Sequence, residues 1–584
     1  MKRKGRAASA SASSPEGKKT KVGGENDPET STTDSRMVDF TTPKRVAETL
    51  LAVADLETFF TETWEKKPYL VKRANTDFYG ALFSKKDLEA ILKKEEINFI
   101  EDINLSRYVE GKTELLNEEG SRINSKHIKA TGVSVQFHQP DRFKDEIWRL
   151  VESLESYLNC LVFVDAFVFQ PGSQGLAPQH DDMETFILQT EGKTKWKLFR
   201  PLQELSQDAS PDLELEDIGE PTEEFDLEPG DLLYFPRGTV FFPVPVEDKD
   251  HTTYLALTTF QESSWGNMLT SVLTKAVEKA MESDVEYRRG LPINFPLFMG
   301  NGLHDTDSDQ DSSEHNDNQK SDKEESPMEA AADPRKAFNK TLINLVHGLE
   351  QHLSPDKAVD NLVYEFFNAR LPPYAKDIKK GKKKSTPTDG SKIRILHPDH
   401  VRVMIGDLSD GVAGADESDE DMSQAEEDGE ENSEEEESEE SEKEDKKGSK
   451  RRAKEDKQGK TEKGKATKPK SKKAEQEQKG GEEDMEDEDE EEGSGDEDDP
   501  FDNKEGGDEY ILLLHSYNND RATHMMGKKT SCSTLKFPIR YKGALRQISS
   551  ERDEFITVSS LELPEKERLS MVKSLWNEGL LELE

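Results

Sequence analysis

Residues 172–189 read GSQGLAPQHDDMETFILQ, and about forty residues later 229–242 read PGDLLYFPRGTVFF. Each is a turn-rich entry followed by a short run of apolar and β-branched residues, the form of a strand that starts abruptly at a Gly, Pro or Asp. The same form recurs around them: Leu161–Phe169, Glu184–Thr190, Lys195–Phe199, Asp231–Phe235 and Thr252–Phe260 give five short strands within about one hundred residues. So dense a series predicts a sandwich or barrel, and the double-sheet jelly roll is the version in which paired strands end on a common mouth.

Upstream, Val46, Leu50, Leu51, Val53 and Leu56 fall at helical spacing before Lys66-Lys67-Pro68, and Tyr69–Val71 reads as a first strand. Val133–Phe137 alternates with period two. Ile147, Leu150, Val151, Leu154 and Leu158 share one helical face within 143–159. Trp265–Met281 is predicted to be the helix that closes the barrel. Beyond it, Phe338, Leu342, Leu345, Val346 and Leu349, then Leu362, Val363, Phe366 and Phe367, make two apolar stripes expected to pack as an antiparallel pair that docks on the barrel or on a second copy of the chain, the homodimer being the preferred reading. Strands at His400–Ile405 and Glu509–His515, helices near Tyr541–Ile548 and Pro564–Asn577, and a last strand at Leu580 suggest a winged-helix module. Its second helix sets Glu565, Glu567 and Glu578 against Lys566, Arg568 and Lys573, a balance that favours protein over DNA contacts.

Composition divides the 584 residues: the chain is 32% hydrophobic and 35% charged with a net charge of −44, and the deficit of apolar residues is concentrated in three stretches. The expected organisation is a basic tail at 1–40, the barrel at 41–302, an acidic linker at 303–333, a helical dimerisation domain at 334–390, a winged-helix domain at 391–407 and 509–584, and a disordered acidic and basic insertion at 408–508. The class is α+β, mostly β. Two distant cysteines, Cys160 and Cys532, exclude a disulfide framework and a Cys-based zinc site, and point to a reducing compartment. No apolar run of about 18 residues offers a membrane span. Lys2-Arg3-Lys4 and Lys18-Lys19-Thr20-Lys21 read either as a bipartite nuclear import signal or as a solvated basic tail. The acidic blocks read as solvated disorder or as a docking surface for basic partners, with Ser418, Ser433, Ser438 and Ser441 open to phosphorylation.

Trp64-Glu-Lys-Lys-Pro68, the run from Val135 to Pro140 continuing to Glu146, Gly172–Leu176, Phe186–Gln189, Gly230–Thr239, Ser264-Trp-Gly266 and Thr523–Gly527 together resemble the JmjC-domain ribosomal oxygenases, nearest to the Myc-induced nuclear antigen type. The resemblance runs from about residue 43 to the C-terminus and leaves out the acidic insertion. It implies a cupin-type double-stranded β-helix and Fe(II)- and 2-oxoglutarate-dependent oxygenation of a large-subunit ribosomal protein at a histidine, with histone lysine demethylation as a further activity. It also implies a nuclear, largely nucleolar, home. Dimers would form through the helical domain, and the partners would be basic nuclear proteins.

Such chemistry needs two imidazoles and one carboxylate on one face of the iron. The resemblance places the ligands at Gln179, Asp181 and Phe241, of which only Asp181 carries a usable donor. Likewise the lysine that would pair with 2-oxoglutarate falls at Thr194, and its helper tyrosine at Phe167. Neighbouring residues offer substitutes. A one-residue slip would make His180 the first ligand, although a slip turns every side chain of the strand over unless a bulge intervenes. His251, at the start of a later strand, is the alternative third ligand, and Lys193 or Lys195 the alternative cation. His138 reads as a structural hydrogen-bond partner. The residues thus leave open an enzyme with a rebuilt site or a pseudo-oxygenase that binds and scaffolds.

Overall fold

The computed structural model describes residues 37–406 and 510–584, apart from 118–120, 125, 130–131, 246–249, 301–332, 375–385, 527–531, 551 and 553. Residues 1–36 of the expected basic tail, nearly all of the acidic linker and the insertion lie outside the described residues, whereas Val38 and Phe40, placed in the tail by the sequence, pack on the folded part.

Helices α1 (Pro43–Leu51), α2 (Leu56–Glu62) and α3 (Lys85–Lys94) precede strands β2 (Ile103–Val109), β3 (Lys112–Leu115) and β4 (Ser134–His138), and β1 (Tyr69–Val71) lies between α2 and α3. Helix α4 (Asp145–Leu158) leads into β5 (Val162–Phe169), β6 (Glu184–Glu191), β7 (Thr194–Phe199), the one-turn α5 (Leu215–Ile218), β8 (Glu223–Leu227), β9 (Leu232–Phe235), β10 (Val240–Pro245) and β11 (Thr252–Thr259). One eight-stranded sheet runs β1-β9-β6-β11-β5-β4-β2-β3, and a three-stranded sheet β10-β7-β8 faces it. This is the double-sheet barrel the strand series predicts.

Strand β5, VFVDAFVF, shows why its sequence is almost wholly apolar. Val162, Val164, Ala166 and Val168 pack outward on Val46, Leu50, Ile147, Leu150 and Leu154 of α1 and α4. Phe167 and Phe169 point the other way, into a barrel interior shared with Trp196, Leu198, Phe235, Phe241 and Tyr254. A strand covered on both faces loses the polar alternation of a half-exposed one. Asp165 is the exception, and it marks the mouth.

Helix α6 (Trp265–Ser283) begins with a capping box in which Ser264 and Asn267 satisfy each other's backbone amides. It does not close the barrel. Its small residues Ala276 and Ala280 face Leu349, so α6 belongs with α7 (Pro334–Gly348) and α8 (Pro355–Ala369). The expected closed pair of α7 and α8 is replaced by packing of α8 and the 349–352 turn on α6, because alanines permit close approach there.

The C-terminal part holds β12 (Lys392–Ile395), β13 (Val401–Ile405), β14 (Tyr510–His515), β15 (Ser533–Pro538), α9 (Lys542–Ser550), β16 (Ile556–Thr557), α10 (Glu565–Asn577) and β17 (Leu581–Leu583). Two three-stranded sheets, β16-β12-β17 and β13-β14-β15, flank the two helices.

Candidate functional site

The turn Pro236–Thr239 folds back so that Gly238 N–H donates to the Asp181 carbonyl at 2.8 Å. Gly238 has φ 77°, and a Cβ there would come within 2.7 Å of the Gln203 carbonyl, so only glycine fits. The turn sets Phe241 directly opposite Gln179: Gln179 N–H donates to the Phe241 carbonyl at 3.2 Å, and Phe241 N–H to the Gln179 carbonyl at 2.8 Å. Side chains so paired have Cβ atoms about 4.5–5.5 Å apart, the separation at which two ligands would grip one metal. The two positions that the resemblance assigns to ligands are thus paired across the strands, and they carry an amide and a phenyl ring.

Phe241 is buried at 5% exposure, its ring 5.3 Å from Phe235 and 6.0 Å from Trp196. Asp181 accepts no side-chain or backbone hydrogen bond at its carboxylate among the described residues, and burial, with Asp182 and Asp165 nearby, pushes its carboxyl up to about 6. An iron centre of two imidazoles and a carboxylate does not fit a Gln amide, a carboxylate and a phenyl ring. Among the described residues no group of three or more His, Cys, Asp or Glu side chains is arranged to hold a metal ion.

Deeper in the barrel Thr194 is fully buried, its hydroxyl 3.0 Å from that of Thr252, which also accepts from Gln189 Nε2 at 2.7 Å. Phe167 stacks on Tyr254 at 5.0 Å. Lys193 and Lys195 do not replace the missing cation. Lys193 Nζ meets Glu228 at 2.5 Å, and Lys195 Nζ meets Asp226 at 2.9 Å and Glu224 at 3.4 Å, on the solvent side of the sheet. Strand alternation explains it, since Thr194 and Trp196 take the inner face. A 2-oxoglutarate dianion in this interior would be buried without a counter-charge, which is strongly unfavourable. Two buried polar atoms here, Trp196 Nε1 and Gln189 Oε1, have no hydrogen-bond partner.

Nor do the substitute histidines reach Asp181. No slip occurs, because the Gln179–Phe241 pairing fixes the register; His180 takes the opposite face, where Ser210 Oγ accepts its backbone N–H at 2.9 Å and its buried Nδ1 has no partner. His251 sits at the far end of the barrel with its Nε2 3.1 Å from Glu191. Glu191 ends the eight-residue β6, whose other end adjoins Asp181, so the two sites lie on the order of 25 Å apart.

A polar chain built on His138, read above as a structural hydrogen-bond partner, lines the mouth instead. His138 Nδ1 lies 3.1 Å from Asp165 and its Nε2 3.0 Å from Asn104 Nδ2, while Gln136 donates to Asp165 at 2.7 Å. The signal was present in the sequence as the lone charge in VFVDAFVF.

The JmjC domain family matches residues 136–267, the stretch from β4 through the start of α6. Ribosomal oxygenase 2 of Mus musculus is 33% identical over 382 residues, covering 63% of this chain and 74% of that protein. The chain belongs to the JmjC-domain ribosomal oxygenases. Ribosomal oxygenase 2 of Bos taurus aligns over 94% of both chains at 29% identity. Among solved structures, the Escherichia coli ribosomal oxygenase YcfD in complex with cobalt and 2-oxoglutarate covers 60% of this chain and 81% of its own, with 16% identity and a TM-score of 0.33.

The C-terminal part of this ribosomal oxygenase relative is tied to the rim of the barrel by buried charges. His524 Nδ1 meets Asp141 at 2.8 Å and its Nε2 meets Glu155 at 3.1 Å, with all three side chains at most 1% exposed. Burial alone would lower the imidazolium, but the two carboxylates outweigh it and raise its pKa to about 10. Arg521 adds bonds to the Asp141 carbonyl at 2.6 Å and to Asp145 at 2.8 Å, its guanidinium 4.5 Å over Trp148. Nearby, His400 Nε2 meets Glu152 at 2.7 Å.

Proposed function

We propose that this chain is a nuclear binding member of the ribosomal oxygenases: it holds a basic segment of a ribosomal protein or histone at the barrel mouth and does not carry the Fe(II) and 2-oxoglutarate reaction. The observation that carries this reading is Phe241, which stands where the resemblance puts a ligand and is packed against Phe235 and Trp196. The carboxylates of Asp165, Asp181 and Asp182 make the mouth suited to a cationic side chain and unsuited to a dianionic co-substrate. The basic clusters near the N-terminus support nuclear import, and the acidic blocks support a role among nucleolar basic proteins.

Basic peptides tiled across the large-subunit ribosomal proteins and the histone tails are expected to include one that binds the full chain without iron, in about 150 mM salt where loose charge attraction is screened. Binding to the mouth requires that Asp165→Asn weaken it. If no tiled peptide binds, or if unlabelled polylysine displaces every one equally well, the reading fails. A second reading, histidyl hydroxylation or lysine demethylation, is supported by family membership, by Asp181 and by the intact Gln179–Phe241 backbone pairing.

The chain is further proposed to act as a homodimer. Trp265, Leu269, Leu273, Val277 and Met281 recur every fourth residue along α6, all 38% exposed or more. Leu342, Ile343 and Val346 on α7 add a second exposed apolar patch, and contiguous patches of this kind mark interfaces. Light scattering is expected to give twice the chain mass for the wild type and a single chain mass for Leu269→Asp with Leu273→Asp. A wild-type monomer at micromolar concentration would contradict the dimer.

A further inference from the structure

The segment Asp520–Met526 returns from the C-terminal part to the barrel rim, and the His524 clamp determines where it sits. Strand β4 ends at His138, whose ring meets Asp165 at the mouth, and three residues on is Asp141, the partner of His524. Met525 and Met526 are thereby seated beside the mouth. Met525 holds φ 58°, a left-handed conformation that a non-glycine residue keeps only where its surroundings impose it.

Between this segment and the barrel lies a cavity of about 300 Å³ bordered by Phe163, Asn368, Asp520, Thr523, Met525 and Met526. Phe163 stands two residues before Asp165 on β5, on the same strand face, so the cavity borders the face of the strand that carries Asp165. Arg370 and His524, the cations of its lining, are buried and bonded inward, Arg370 to the Asp399 carbonyl at 2.6 Å and Ser156 Oγ at 2.7 Å, His524 to Asp141 and Glu155. Asp520 is the carboxylate on the cavity lining, and Asp165, held by His138 and Gln136, and Asp181 add negative charge at the mouth. Methionine pairs beside an aromatic ring make an adaptable apolar wall.

We propose that the mouth and this cavity form one peptide groove whose second wall is the C-terminal Asp520–Met526 segment. It takes an extended basic segment that sets a lysine or arginine against Asp165 and Asp181 and an apolar side chain between Phe163 and the two methionines. His524 is a positioning residue: it fixes the wall and does not touch the ligand. The proposal rests on the binding role above and adds which part of the chain reads the partner.

The test uses the full chain and the tightest fluorescein-labelled basic peptide from the ribosomal and histone tiles, read by anisotropy. Met525→Ala with Met526→Ala is expected to weaken binding about tenfold, and Asp520→Asn severalfold. A benzophenone amino acid placed at Met526 of the otherwise unaltered chain is expected to cross-link to the bound peptide, which guards against a variant that folds poorly. If Asp165→Asn weakens the peptide while the methionine variants do not and no cross-link forms, the mouth binds alone and the groove proposal falls while the binding role stands. If no peptide binds at all, both fall.

Discussion

Gln179→His combined with Phe241→His is expected to bind Mn(II), an oxygen-insensitive stand-in for Fe(II), at least about a hundredfold more tightly than the wild type, as followed by calorimetry. Removing a group that merely supports a metal ligand typically costs about 10–100-fold in affinity, so restoring two ligands themselves should do at least as much. The backbone already holds the two positions face to face with Asp181 beside them. Adding Thr194→Lys and Phe167→Tyr is expected to bring 2-oxoglutarate binding, because Thr194 faces the interior where Lys193 and Lys195 do not. The exchange has a stability cost of about 1–3 kcal/mol, since a polar ring replaces Phe241 against Trp196 and Phe235. A folded double variant that binds no metal would show that the aromatic cluster has closed the site rather than only changed its donors.

His524→Ala is expected to destabilise the junction of barrel and C-terminal part by about 3–5 kcal/mol, because it leaves Asp141 and Glu155 buried without their cation. The pH dependence has a definite sign. His524 titrates near 6.5 in the unfolded chain and at about 10 in the folded one, so its stabilisation is complete below about 6.5 and is lost as pH rises through 10. Thermal unfolding of wild type and variant should therefore converge between pH 7 and pH 10. A difference that stays constant over that range would mean that His524 acts through packing and not through charge. Because the same histidine seats Met525 and Met526, the variant should also weaken peptide binding, and the conservative His524→Arg should recover part of both effects if charge is what matters.

The barrel was legible from its strand entries, because β6 follows Asp181-Asp182, β9 follows Gly230-Asp231, β11 begins at Thr252, and each runs in a short stretch rich in apolar and β-branched residues. Gln179, Asp181 and Phe241 come from registering the family motif on the chain, and the structure adds that Gln179 pairs with Phe241. What the sequence left open was direction. Whether Lys195 points inward or His180 replaces Gln179 depends on strand register, and the two backbone bonds between Gln179 and Phe241 decide it. The role of α6 was misread because its apolar stripe suits a barrel lid and a helical partner equally, and only the contact of Ala276 and Ala280 with Leu349 distinguishes them. The clamp was invisible for a different reason: His524 lies 383 residues from Asp141, and no local pattern joins them.

The most direct test of the account is incubation of the wild-type chain with Fe(II), 2-oxoglutarate, ascorbate and the basic peptide it binds best, with succinate and peptide mass followed together. The account predicts peptide bound, no succinate above the iron-free control and no gain of one oxygen. Succinate formed in step with hydroxylated peptide, and abolished by Asp181→Ala, would contradict it and establish this chain as a working oxygenase.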